Sequence, residues 1–319
     1  MNIQPVIDIT ELKKSFKGFS LDIPSLQIPK GFATALIGEN GAGKSTLINI
    51  LSGVRMDYKG TVDYFNGETD EKKIREDIGY TGTGNYFMPG WTVGQVAEVN
   101  ELLFDQFHSD RYRQICEELG VTDYKKRVSS LSDGMRVKVM LAGVLARDTK
   151  LLLLDEPASP LDPLMRDRLC SMIRNYLDEA DCERSVLFST HNISDMENVT
   201  DYAIIMEQGK VVEQGFVEDL KEKYILVKGE PVDTEKAKDV LFSFQKNTYG
   251  FEGICLSQNL DKLAGMDIAI ETPSLSQICV AVMKRYTGLG KPGVTETVND
   301  YTSDRLIKQE ERKNTVKIG

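Results

Sequence analysis

Gly38-Glu39-Asn40-Gly41-Ala42-Gly43-Lys44-Ser45-Thr46 decides the fold. It matches G-x-x-x-x-G-K-[ST], a spacing in which glycines let the backbone curl so that several amide N–H groups point at one anion. A short apolar run from Ala33 to Ile37 leads into it, and LINILSG leaves it with helical spacing and stops at Gly53. Strand, glycine loop and helix together make a phosphate site. The loop amides and the positive helix end hold the anion, Lys44 reaches the β- and γ-phosphates of ATP, and the Ser45 hydroxyl offers an oxygen to Mg²⁺. All nine residues are candidates for nucleotide contact.

A second stretch, Leu151-Leu152-Leu153-Leu154-Asp155-Glu156-Pro157, reads as a buried apolar strand that delivers two carboxylates at its C-terminal end. Packing alone gives no reason for such a pair. Asp155 is placed to hold a Mg²⁺ water shell, and Glu156 to polarise an attacking water as a general base.

Around these motifs the periodicity changes along the chain. The first sixty residues read as strands, with Val6, Ile7 and Ile9 before a turn at Lys17-Gly18, then Phe19, Leu21 and Ile23 at period two. Residues 61–65 form another strand ahead of Asn66-Gly67. From Trp91 to Arg147 the spacing is helical, and Ser109 caps a helix with Tyr112, Ile115, Cys116 and Leu119 on one face. Residues 150–215 return to α/β. Asp162-Pro163 start a helix carrying Leu169, Met172, Ile173 and Tyr176, and SVLFSTH is a buried strand. Alternation of this kind implies a mostly parallel sheet covered on both faces. The expected division is an ATPase domain over 1–215 with a helical subdomain at about 88–147, then a small α+β domain over 216–288. The latter closes in a helix with Ile278, Val282 and Tyr286 on one side. Residues 289–319 are polar and mixed in charge, and read as a loosely held tail.

Composition narrows the function. The chain has 319 residues, of which 41% are hydrophobic and 28% charged, as in an ordinary soluble protein. Its net charge of −10 disfavours a nucleic-acid partner. No run of 18 or more apolar residues and no secretory leader are visible, and the five cysteines are scattered, so a reducing cytoplasm is expected. Two histidines and no clustered cysteines argue against a dedicated transition-metal site.

At these motifs the chain resembles the nucleotide-binding subunits of ABC transporters, over about residues 5–215. Leu131-Ser132-Asp133-Gly134-Met135 is similar to the family's LSGGQ signature, with Asp133 and Met135 as replacements. The resemblance implies that Ser132 and Gly134 close on the γ-phosphate held by an opposite subunit. It implies that Ser159-Pro160-Leu161-Asp162 is the D-loop, that His191 is the switch histidine at the γ-phosphate, and that Phe16 stacks on adenine. One element departs. In Ile78-Gly79-Tyr80-Thr81-Gly82-Thr83-Gly84-Asn85, Thr83 stands where the family has a Mg²⁺-sensing glutamine. What the resemblance implies overall is an α/β P-loop NTPase of the ABC type, with a β-rich N-terminal part, a helical subdomain and a small C-terminal extension. Its cofactors would be ATP and Mg²⁺, its partners a second ATP-binding subunit and a separately encoded integral membrane permease. It would lie on the cytoplasmic face of the membrane. Pro273 to Tyr286 resembles the closing helix of exporter subunits and leans toward export. Two rival readings are a soluble ATPase switch on ribosomes or DNA, and a weakly hydrolysing regulator. A single phosphate loop and no sustained heptads count against the first, while Thr83 and the altered signature favour the second.

Overall fold

Alternating apolar residues from Pro5 onward build the N-terminal sheet. β1 (Pro5–Phe16) and β2 (Phe19–Pro29) form an antiparallel hairpin whose turn places Gly18 at φ 85°. The computed structural model of the chain describes residues 4–287 apart from 83, 85, 86, 89, 181 and 182. The tail expected at 289–319 lies outside the described residues. After β3 (Ala33–Ile37), all buried, the glycine loop delivers α1 (Lys44–Leu51). β4 (Lys59–Tyr64) pairs with the outer edge of β1. Ile7, Ile9, Leu21 and Ile23 of this sheet pack on Leu47, Ile48 and Leu51 of α1.

Helices fill the middle of the chain. α2 (Glu71–Asp77) leads into β5 (Ile78–Thr81); then come α3 (Val93–Leu103), α4 (Ser109–Glu118) and α5 (Asp133–Leu145). Tyr112, Ile115, Cys116 and Leu119 are buried as their spacing requires. The cap position of α4 falls on His108, one residue before Ser109. His108 pairs with Asp148 at 2.8 Å on the surface.

β6 (Leu151–Leu154), α6 (Pro163–Asp178), β7 (Ser185–Thr190), β8 (Tyr202–Glu207) and β9 (Lys210–Phe216) complete the central sheet. Its order is β5-β6-β7-β3-β8-β9, parallel except for β9. β6 and β7 are buried along their whole length, which is why β6 reads as an unbroken apolar run and β7 as Val186-Leu187-Phe188 between hydroxyl residues rather than as alternations. Asp162 caps α6 through Met165 N and Pro163 takes its first turn, where a missing N–H costs nothing.

α7 (Val217–Lys223), β10 (Tyr224–Gly229), α8 (Thr234–Ala237), β11 (Phe242–Asn247), β12 (Gly250–Leu256), β13 (Ile268–Glu271) and α9 (Leu275–Tyr286) follow. The four strands form an antiparallel sheet of order β11-β12-β10-β13. Val227, Leu241, Phe251 and Cys255 make a small core of their own. Leu226, Ile254 and Leu256, with Leu275, Ile278 and Val282 of α9, instead share one core with Leu152, Leu154 and Phe188 of the central sheet. Ser274 caps α9 reciprocally with Gln277, and Tyr286 ends it exposed.

Candidate functional site

The loop between β3 and α1 is shaped by glycine. Gly41 and Gly43 sit at φ 89° and 107°, where a side chain would strain the backbone. Gly43 immediately precedes α1 and no side chain caps the helix, so the first N–H groups of α1 have no side-chain acceptor. Gly38 is set by space: a Cβ there would lie 2.5 Å from the Met206 carbonyl oxygen. Lys44, only 5% exposed, curls back over the loop. Its Nζ donates to the carbonyls of Gly38 (2.7 Å) and Glu39 (3.2 Å) and stands 3.5 Å from Glu156 Oε1.

The carboxylates arrive from the next-but-one strand. Asp155 N donates to Thr81 O at 2.9 Å, extending the β5–β6 ladder by one residue. Glu156 then turns into the left-handed region at φ 50°, a strained conformation for a side chain of its size, and this re-aims it across the sheet top. Ser189 holds both residues: Glu156 N donates to its Oγ (2.9 Å), and that Oγ donates to Asp155 Oδ1 (2.6 Å). His191 Nδ1 lies 2.8 Å from Glu156 Oε2. Ser189 escaped the sequence reading; its signal was a hydroxyl in a wholly buried strand, two residues before His191.

These groups line one cavity of 1020 Å³. Its lining includes Asn40, Gly41, Gly43, Lys44, Ser45 and Thr46 of the loop, Asp155, Glu156 and His191 that follow β6 and β7, and Phe16 at the end of β1. Gly82, Gly84, Asp133, Arg136 and Met140 line it as well. Gly38 and Glu39 take part through the carbonyls that hold Lys44, and Ala42 O accepts from Gly209 N at 3.0 Å. Phe16 is 40% exposed, with Lys14 and Arg55 each 5.1 Å from its ring centroid. Both cations pair with Asp57, and the Lys14 hydrogen bond above all holds that carboxyl below its usual range.

Ser132 and Gly134 do not join that lining. Ser132 Oγ caps α5 by accepting from Met135 N (3.3 Å), and Gly134 packs so close to the D-loop that a Cβ would lie 2.8 Å from Pro160 O. Their neighbours Asp133 and Arg136, which pair with each other, face the cavity instead. Thr83 lies outside the described residues. Among the described residues no cluster of three or more His, Cys, Asp or Glu side chains could cage a metal.

A glycine loop between a parallel strand and a helix, with an acidic pair delivered by the same sheet, defines a P-loop NTPase. The ABC transporter family profile matches residues 21–159. Over 211 residues the chain is 30% identical to the tungstate uptake system ATP-binding protein TupC of Peptoclostridium acidaminophilum, covering 65% of this chain and 97% of that protein. It is 31% identical over 214 residues to the energy-coupling factor transporter ATP-binding protein EcfA1 of Staphylococcus aureus, covering 63% and 77%. A 30% match to human ATP-binding cassette sub-family A member 10 covers 74% of this chain but spans only 16% of that protein. Among solved structures, an ATP-binding subunit of an ABC transporter aligns with TM-score 0.61 at 22% identity, over 68% of this chain and 92% of that one. The cbiO1 subunit of Clostridium perfringens aligns with TM-score 0.55 at 26% identity, over 68% and 90%. The chain belongs to the ABC transporter ATP-binding proteins, and it is an ATPase of that family. Among the described residues no helix is long and apolar enough to cross a membrane.

Proposed function

We propose that this chain hydrolyses ATP to power a separately encoded membrane permease, working as a pair of cassettes on the cytoplasmic face of the membrane. The observation that carries the reading is the convergence of Lys44, Asp155, Glu156 and His191 on one cavity floored by the Gly41–Thr46 loop. In the structure Glu156 is held on both sides, by the Lys44 ammonium at 3.5 Å and by His191 at 2.8 Å. A γ-phosphate entering the loop offers both groups a more highly charged partner. Lys44 and His191 then turn to the phosphate, and Glu156 is released to accept a proton from the attacking water.

Ser45 and Asp155 are the residues that would hold Mg²⁺. They fit it: both line the same cavity, a hydroxyl and a carboxylate are hard oxygen donors, and the bond from Ser189 aims the 5% exposed Asp155. When bound, the ion supplies neutralisation of phosphate charge. Phe16 stacks on the base. Ser132 and Gly134, which do not line this chain's own cavity, are the residues offered to a second copy or a sister cassette. Dimeric cassettes are known for this fold, including one bound to ADP and Pi, at 20% identity and TM-score 0.57. The division at about 88–147, 215 and 288 into helical subdomain, small C-terminal domain and tail belongs to the same proposal.

For direction we keep export, supported by the likeness of the Pro273–Tyr286 segment to exporter subunits; the uptake named for TupC is the counter-example. The test is co-expression with the neighbouring membrane protein. The permease should co-purify with this chain, and ATP turnover in the reconstituted pair should exceed that of the chain alone. A soluble chain with full turnover and no membrane partner would favour the switch on ribosomes or DNA.

A further inference from the structure

Glu207 ends β8 directly behind the phosphate loop, and nothing in the reaction described above uses it. It is 6% exposed, and its Oε2 has no hydrogen-bond partner. A buried carboxylate oxygen left unpaired carries a large desolvation cost unless it is neutralised. Its position is tightly determined. The preceding Met206 carbonyl fills the space beside Gly38, and two residues on, Gly209 N donates to Ala42 O (3.0 Å) while Gly209 O accepts from Asp22 N (2.8 Å). The β8–β9 hairpin is thus wedged between the loop and β2. Gln208 at φ 48° makes the turn, and a Cβ on Gly209 would collide with Ser20 O.

The charges that act on Glu207 are those of the loop itself. Burial pushes its carboxyl up, Glu39 pushes it further, and Lys44 opposes both. Lys210 is its register partner across the hairpin, and Asp22 on β2 pairs with Lys13 at 3.6 Å. Among the described residues Lys44 is the cation whose charge favours the ionised form, and it is also the group a triphosphate draws away. ATP therefore removes the stabilising charge and adds several negative ones on the far side of a single loop. Both changes disfavour a second anion there.

We propose that Glu207, buried behind the phosphate loop, takes up a solvent proton as ATP binds, so that nucleotide affinity and proton binding are linked. The sign follows. A group that holds its proton more tightly in the bound state makes affinity fall as pH rises through the interval between its free and bound pKa values. This rests on the ATP-subunit reading and adds to it a residue behind the loop that touches no phosphate.

The test is isothermal titration of the full chain with ATP at fixed Mg²⁺, in buffers of differing ionisation heat. Wild type should take up a fraction of a proton more per ATP than Glu207→Gln, whose amide mimics the neutral acid. As pH rises through the interval between the free and bound pKa values of Glu207, wild-type affinity should fall roughly 5-fold more than that of the variant. Equal proton uptake in two folded proteins overturns the assignment. Should Glu207→Gln fail to fold, Glu39→Gln removes the like charge and should move the pH dependence of affinity downward; an unmoved profile also overturns it. No ATP binding by wild type would instead strike at the ATP-subunit reading, a distinguishable result.

Discussion

The ATP face and the C-terminal sheet treat buried charge in opposite ways. At the ATP face Lys44 is held by two backbone carbonyls and a shared carboxylate, Glu156 adopts a strained φ, and Glu207 leaves an oxygen unpaired. At the root of the C-terminal sheet Glu213 is just as buried, yet it accepts from Lys223 Nζ (2.6 Å), Tyr224 OH (2.5 Å) and Gln214 N (3.1 Å). Glu213 is thus neutralised by local partners, although the neighbouring Gln214 leaves a buried Oε1 unpaired and Ser243 of β11 adopts φ 56°. Strain and incomplete pairing occur in both regions, so what marks the site is the convergence of Lys44, Asp155, Glu156 and His191 on one cavity.

The largest expected effect breaks the ATP face. Glu156→Gln keeps the shape but cannot accept a proton, so turnover should fall about 10²–10⁴-fold. ATP binding should persist and a closed dimer accumulate on size-exclusion chromatography with ATP. Normal turnover in a monomeric variant would remove Glu156 as the base.

Next comes the packed side. Ile278→Ala empties a fully buried position in α9 and should cost about 2–5 kcal/mol of stability in a denaturant melt. ATP affinity below the transition should hold within a few-fold. The sharper outcome would be a large loss of affinity. That would mean the two regions are coupled through Glu197, whose Oε1 accepts from Leu275 N at 2.9 Å just beyond the His191 segment.

Gly38→Ala tests whether the loop is held by the hairpin behind it. A Cβ pressed against the Met206 carbonyl forces β8 and the loop apart, at a cost of about 1–3 kcal/mol. A fluorescent-nucleotide titration should show weaker ATP binding, and an unchanged affinity would mean the loop can shift freely. The smallest effect is expected at Thr83, which offers one hydroxyl on a stiff β-branched side chain. Thr83→Gln should raise steady-state turnover roughly 2- to 10-fold, the worth of one hydrogen bond, with affinity little changed.

The motif residues were legible because their chemistry is local. Gly41 and Gly43 must be glycine for backbone reasons that spacing reveals, and four leucines ending in Asp155-Glu156 mark a strand end without reference to any neighbour. Phe16 was legible only through resemblance, since an aromatic near a strand end has no spacing of its own. The helix faces of α4 and α6 were readable from period alone. The cap of α4 falls one residue before Ser109, on His108, whose side chain caps nothing and pairs instead with Asp148, forty positions away.

By itself, then, the sequence determined the phosphate loop, the acidic strand end, the α/β alternation and the absence of long apolar helices among the described residues. Each follows from local backbone geometry or from side-chain period. Tertiary structure alone decided which groups meet. The order β5-β6-β7-β3-β8-β9 sets β7 between β6 and β3, so that Ser189 and His191 reach Asp155 and Glu156. The same order puts β8 on the other side of β3, which brings Glu207 behind Lys44 from more than 160 residues away in the chain. Strand order depends on how whole layers pack, a long-range balance of buried area that no short window of sequence contains.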